Sequence, residues 1–153
     1  MGRVEETIKE LGLELPEAPK PMGSYLPWAK SGKLVFISGQ LPRKEGKIVY
    51  QGRVPTEISL ELGKQAAAIC ALNAVSVLKD AAGELDKVKQ IVRLTCWVAS
   101  SPFFFDQPQI ANGASDLLVK IFGEAGKHSR MTTGVIGLPG NATVAVDLVV
   151  ALR

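Results

Sequence analysis

The side chains that could carry chemistry gather near one end of the sequence. Arg130 opens the run HSRMTTGVIGLPGNATVAVDLVVAL, residues 128–152, which reads as two strands around a Leu138-Pro139-Gly140 turn. A guanidinium at the mouth of an apolar strand is either a strand-flanking surface arginine or a site for an anion. Position alone favours the first. Thr132 lies two residues on, so both side chains should point to one side of the strand. His128 is the single histidine of the chain. One histidine excludes a His-rich metal site and narrows the options for proton transfer. In its Gly-Lys-His loop it reads as exposed. Cys70 and Cys96 stand far apart and not at a metal-ligand spacing, so they read as two reduced, buried thiols.

The elements that must position these residues follow from periodicity and punctuation. Residues 3–11 read as a short amphipathic helix stopped by Gly12 and Pro16. Pro16, Pro19 and Pro21 make residues 16–22 extended. KLVFISGQ, 33–40, is a strand; after the turn KEGK, 44–47, KIVYQG returns as its hairpin partner. Leu62, Ala66, Ile69, Asn73 and Val77 mark a long helix over 57–82 that ends at Gly83. VKQIVRLTCWVAS, 88–100, is a strong strand, and SPFFFDQP is a loop. Ile110, Ala114, Leu117, Leu118, Ile121 and Phe122 mark a second helix, followed by strands 131–137 and 142–152. The order β-β-α-β-α-β-β is an α+β pattern of one sheet with two helices.

The strand faces carry a second message. In the last strand Val144, Val146, Leu148, Val150 and Leu152 share one side. In 88–100, Val92, Leu94, Cys96 and Val98 oppose Ile91, Arg93, Thr95, Trp97 and Ala99. One apolar face suits packing under the helices. The other, carrying Ile91, Trp97 and Val149, is too apolar to stay bare, so another subunit is expected to cover it.

Composition bounds the rest. A chain of 153 residues fits one domain, 1–153, with a real core. The net charge of +3 comes from 18 basic and 15 acidic residues without a basic stripe, which argues against a nucleic-acid partner. No apolar run approaches the roughly 20 residues of a membrane span. The N-terminus lacks the apolar core of a signal peptide, so a cytoplasmic location is expected.

Three segments line up with a known family. They are Gly23-Ser24-Tyr25, then Ser38-Gly39-Gln40 thirteen residues after the tyrosine, then Arg130 with Leu138-Pro139 following at a fixed distance. Together they resemble the RidA/YjgF family, also called the L-PSP endoribonuclease or translation-inhibitor family, over roughly residues 18–153. The N-terminal helix within residues 1–15 looks like an addition typical of a longer, divergent branch.

The resemblance implies a chorismate-mutase-like fold: one mixed sheet with two helices on one face, assembled as a homotrimer with ligand clefts between subunits. It implies hydrolysis of reactive enamines and imines to a 2-keto acid and ammonia, without a cofactor or metal. It makes Arg130 the fork for a substrate carboxylate, since a guanidinium offers two parallel N–H donors. Thr132 would help hold water, and Tyr25, Ser38 and Gly39 would contribute to ligand binding. One position departs from the pattern. Active deaminases of the family carry a glutamate fifteen residues after the arginine; here that residue is Ala145, which cannot accept a proton. Asp147, two residues on, is displaced by about 6–7 Å along the strand. Trp28 and Phe103 to Phe105 could line the cleft, or the phenylalanines could anchor a loop on a neighbouring subunit. Three functions therefore compete: an imine deaminase, a non-catalytic trimer that binds a small carboxylate, and, with the weakest support, a ribonuclease.

Overall fold

The computed structural model describes residues 2–20 and 23–153; Pro21 and Met22, within the segment expected to be extended, lie outside the described residues. A five-stranded sheet has the order β1-β2-β7-β5-β6. Its strands are β1 (Trp28–Ser31), β2 (Leu34–Gln40), β5 (Val88–Ala99), β6 (Ser129–Val135) and β7 (Val144–Leu152). A separate small hairpin joins β3 (Arg43–Lys44) to β4 (Lys47–Ile48). Helices α2 (Leu60–Ala82) and α3 (Gln107–Phe122) lie on one sheet face, and α1 (Arg3–Glu10) docks at its end. This is the α+β, chorismate-mutase-like architecture expected, with one mixed sheet.

Local chemistry explains the helices. Ser59 caps α2 by accepting from the Leu62 amide, and Gly83 ends it in a positive-φ conformation. The alanines of α2 at 66, 67, 71 and 74 are fully buried, so the helix lies close to its neighbours. At Gly113 the backbone of α3 comes so near α2 that a Cβ would overlap the Lys64 carbonyl. The first turn of α1 donates Arg3 N and Val4 N to the Asp86 carboxylate at 3.0 and 2.9 Å. These bonds hold the Asp86 carboxyl below the usual carboxylate range. Beneath the helices Leu78, Leu94, Ile110, Leu118 and Leu148 form the centre of the core.

Several pairings differ from the sequence expectation. The partner of β2 is β1, not the segment 47–52; Lys47–Ile48 folds back only onto Arg43–Lys44. β1 is four residues long, with no alternation of burial to announce it. The last two strands are not a hairpin. β6 runs parallel to β5, which separates it from β7. The α3 crossover makes that parallel pairing possible. A register shift between Ile91 and Arg93 also reverses two side chains: Ile91 is fully buried in the core and Val92 is exposed, the opposite of strict alternation.

The open sheet face is nonetheless apolar in part. Leu34, Phe36, Trp97 and Met131 are all exposed large side chains. No helix of the described residues is long and apolar enough to cross a membrane.

Candidate functional site

Arg130 and Thr132 lie on β6, an edge strand, side by side with Leu94 and Cys96 of β5. Leu94 and Cys96 are fully buried on the helix face, so Arg130 and Thr132 share that face. α3 supplies what meets the guanidinium. Nη1 donates to Asn112 Oδ1 at 2.7 Å and to Ser115 Oγ at 3.2 Å. Both acceptors are neutral. The ion pairs among the described residues are Lys79–Glu5 and Lys127–Glu124, so Arg130 has no carboxylate partner there. Its Nε/Nη2 edge is left for another acceptor.

Thr132 Oγ1 is buried and lacks a hydrogen-bond partner among the described residues. The Cys96 thiol stands beside it on β5 without reaching hydrogen-bond geometry. A buried hydroxyl in that state commonly marks the place of a water or ligand. Burial pushes the Cys96 thiol up to about 12, against smaller pulls from Arg130 and Thr132. Burial likewise raises Cys70. Neither thiol is a nucleophile at neutral pH.

Tyr25, Ser38 and Gly39 form a second group at the opposite side of the sheet. They line a pocket of about 290 Å³ with Lys20, Gln40 and Arg43. Ser38 Oγ donates to the Leu26 carbonyl at 2.6 Å and Ser38 N to the Pro27 carbonyl at 3.0 Å, which fixes the loop carrying Tyr25. A Cβ at Gly39 would meet open space. β7 and β5 stand between β2 and β6. Three inter-strand steps make a separation of about 14 Å. Within one chain, then, the site residues named by the sequence fall into two groups that no small ligand spans.

Ala145 pairs with Trp97 and lies on the open face, opposite Arg130; it is 8% exposed. Asp147 shares that face and accepts from Trp97 Nε1 at 3.1 Å. It is a structural contact rather than a stand-in base beside Arg130. Trp28 turns to the helix side, donating to Asp80 at 2.8 Å under Lys30. Phe103 and Phe105 are 90% and 78% exposed, and Phe104 packs on the core.

His128 is not the exposed loop residue expected. It is partly buried, with Nδ1 2.6 Å from the Gly126 carbonyl and Nε2 2.9 Å from Ser115 Oγ. Asn112 and Ser115 also escaped the sequence reading. The available signal was two polar residues at i, i+3 between the buried Ile110, Ala111, Ala114 and Leu118.

The family model described as "YjgF/chorismate mutase-like, putative endoribonuclease" matches residues 5–152. The chain belongs to the RidA/YjgF family. A curated family relative, Protein TCP17 of Trypanosoma cruzi, is 41% identical over 153 residues, covering 99% of this chain and 96% of its own. The crystal structure of Atu1372 from Agrobacterium tumefaciens superposes with a TM-score of 0.92 at 38% identity, over 98% of this chain and 92% of that one. E. coli TdcF with bound serine shares the fold at a TM-score of 0.62 and 22% identity, over 90% of this chain and 94% of that one. Arg130 and Thr132 stand on one side of one strand within the matched residues. Among the described residues no group of three His, Cys, Asp or Glu side chains could hold a metal ion.

Proposed function

We propose that this protein is an enamine/imine deaminase that holds small 2-imino acids by their carboxylate, between two copies of the chain, and hydrolyses them to 2-keto acids and ammonia. The observation that carries the proposal is the guanidinium of Arg130. It is anchored through Nη1 by neutral acceptors while its Nε/Nη2 edge has no carboxylate partner among the described residues. That edge is a planar two-donor fork of the geometry a carboxylate accepts. The unsatisfied Thr132 Oγ1 beside it suits a water or the substrate nitrogen. The serine bound to E. coli TdcF is a small α-amino carboxylate, the ligand class this reading requires.

A second chain completes the cleft. Tyr25, Ser38 and Gly39 lie too far from Arg130 of the same chain to share its ligand, and the exposed apolar face supports a covering partner in a homotrimer. Holding the carboxylate orients the imine carbon toward water. Water adds, its proton passes to the nitrogen, and the carbinolamine expels ammonia to leave the keto acid. Ala145 supplies no base, and Asp147 is bonded to Trp97 on the other face. The protein therefore contributes orientation more than proton abstraction.

The same absence favours a second reading, a trimer that binds a small carboxylate without turning it over. One assay separates the two. A pyridoxal-phosphate threonine dehydratase generates the imine, semicarbazide traps it, and the protein competes with the trap. Keto acid formed faster with wild type than with Arg130→Ala supports the deaminase. Saturable 2-ketobutyrate binding with no acceleration leaves the binder. Ribonuclease chemistry finds least support, because the one histidine has both ring nitrogens engaged.

A further inference from the structure

The contacts of His128 form a directed chain that ends on Arg130. The Gly126 carbonyl can only accept, so Nδ1 of His128 carries a hydrogen and donates across 2.6 Å. Arg130 Nη1 can only donate, so Ser115 Oγ accepts from it at 3.2 Å. The Ser115 hydroxyl hydrogen is then able to reach His128 Nε2, 2.9 Å away, as the bare nitrogen of an Nδ1–H imidazole. Each link has one donor and one acceptor. A hydrogen on Nε2 would turn that link round and leave the Ser115 oxygen accepting from both His128 and Arg130, with its own hydrogen no longer fixed by the imidazole.

From this we infer that His128 is a positioning residue for Arg130, acting through Ser115. The orientation of a serine hydroxyl is otherwise free to rotate. Here the imidazole fixes it, so that its lone pair faces Nη1, and Asn112 Oδ1 takes the second contact of that nitrogen at 2.7 Å. With Nη1 held, the guanidinium plane cannot swivel, and the Nε/Nη2 edge is presented in one orientation. This deepens the carboxylate reading and rests on it for its consequence, but the geometry stands without it. Gly126 completes the arrangement: a Cβ there would overlap the Leu118 carbonyl, so the backbone bend that brings its own carbonyl to His128 is packed against α3.

The test uses the whole 153-residue chain. His128 is the single histidine of the chain, so imidazole ¹⁵N shifts report on it without ambiguity. The expected state at pH 8 is the neutral Nδ1–H tautomer; an Nε2–H tautomer overturns the inference, and this measurement needs no variant. Binding of 2-ketobutyrate is then compared for wild type, Ser115→Ala, His128→Ala and the double variant. Each single change should weaken binding about fivefold to tenfold, the size of one lost hydrogen bond. The double variant should be no weaker than Ser115→Ala alone, because one path is being cut twice. His128→Gln, which can place an acceptor near Ser115, should recover part of the loss. Additive losses, or wild-type binding in His128→Ala, overturn the inference. If even wild type fails to bind 2-ketobutyrate, the carboxylate reading has failed, and the Arg130 Nη resonances decide the positioning role alone. Hindered rotation about the Cζ–Nη1 bond that is released in His128→Ala supports it, and rotation unchanged by that substitution overturns it.

Discussion

Arg130 carries the most direct residue-scale prediction. Its Nη1 anchors in neutral acceptors while the opposite edge is the fork proposed to take a carboxylate, so a lysine keeps the charge but loses the fork. Arg130→Ala and Arg130→Lys should each weaken 2-ketobutyrate binding by about tenfold or more, measured by calorimetry, because charge-assisted hydrogen bonds contribute roughly 1.5–3 kcal/mol. Gly39 makes a sharper case. Its Cβ position is open within the chain, so Gly39→Ala should leave the melting temperature unchanged yet impair ligand binding, if the cleft rather than the fold needs the space. An equal loss of stability would assign the glycine to folding. Arg130, Thr132, Tyr25, Ser38 and Gly39 can be named from the sequence as candidates because three spaced segments resemble a family. Asn112, Ser115 and His128 cannot. They meet Arg130 only through the α3 crossover, and polar residues at helical spacing look like ordinary solvated positions until the facing strand is known.

At the scale of elements, long periodic segments were legible and pairings were not. α2, α3, β5 and β7 follow from runs of buried residues at helical or strand period. β1 was missed because burial does not alternate along its four residues, and the parallel β5–β6 pairing was not read because adjacency in sequence is the usual guide to pairing. The bulge at Ile91–Arg93 shows how one extra residue defeats a face assignment made by alternation. Close packing of α2 on α3 makes its own prediction. A methyl at Gly113 must displace the Lys64 carbonyl, so Gly113→Ala should cost about 1–3 kcal/mol in chemical denaturation, the usual range for overpacking. α1 depends on pH instead. The Asp86 carboxyl is lowered by the Val4 and Arg3 amides, so its contribution is fully present above the ordinary carboxylate pKa and is lost as pH falls through the lowered value. Protection of the amides in residues 3–10 against exchange should therefore drop below about pH 4 and not between pH 5 and 8. Asp86→Ala should show the low-pH protection at neutral pH.

On the whole-molecule scale, the fold sets one half of the proposed cleft on β6 and the other beside β2, with two strands between. Strand spacing makes that gap about 14 Å, longer than any small 2-imino acid. Leu34, Phe36, Trp97 and Met131 leave an apolar surface on the face the helices do not cover. In the proposed assembly a second copy of the chain packs on this face. Phe36→Asp should therefore shift the assembly toward monomer in light scattering and abolish 2-ketobutyrate binding while the isolated chain keeps its far-ultraviolet spectrum. Subunit mixing tests the same geometry more stringently. Arg130→Ala spoils the β6 half, and a bulky Gly39→Leu substitution spoils the β2 half. Neither homo-oligomer should bind ligand. Refolded together in equal amounts, they should regain about a quarter of the wild-type sites, because that fraction of clefts pairs an intact half from each parent. A cleft built within one chain has no such route, since every chain in the mixture carries a lesion. Recovery of binding in the mixture thus requires that Arg130 of one copy and Gly39 of another meet the same ligand, and its absence in a mixture shown to exchange subunits would place the two halves in separate sites.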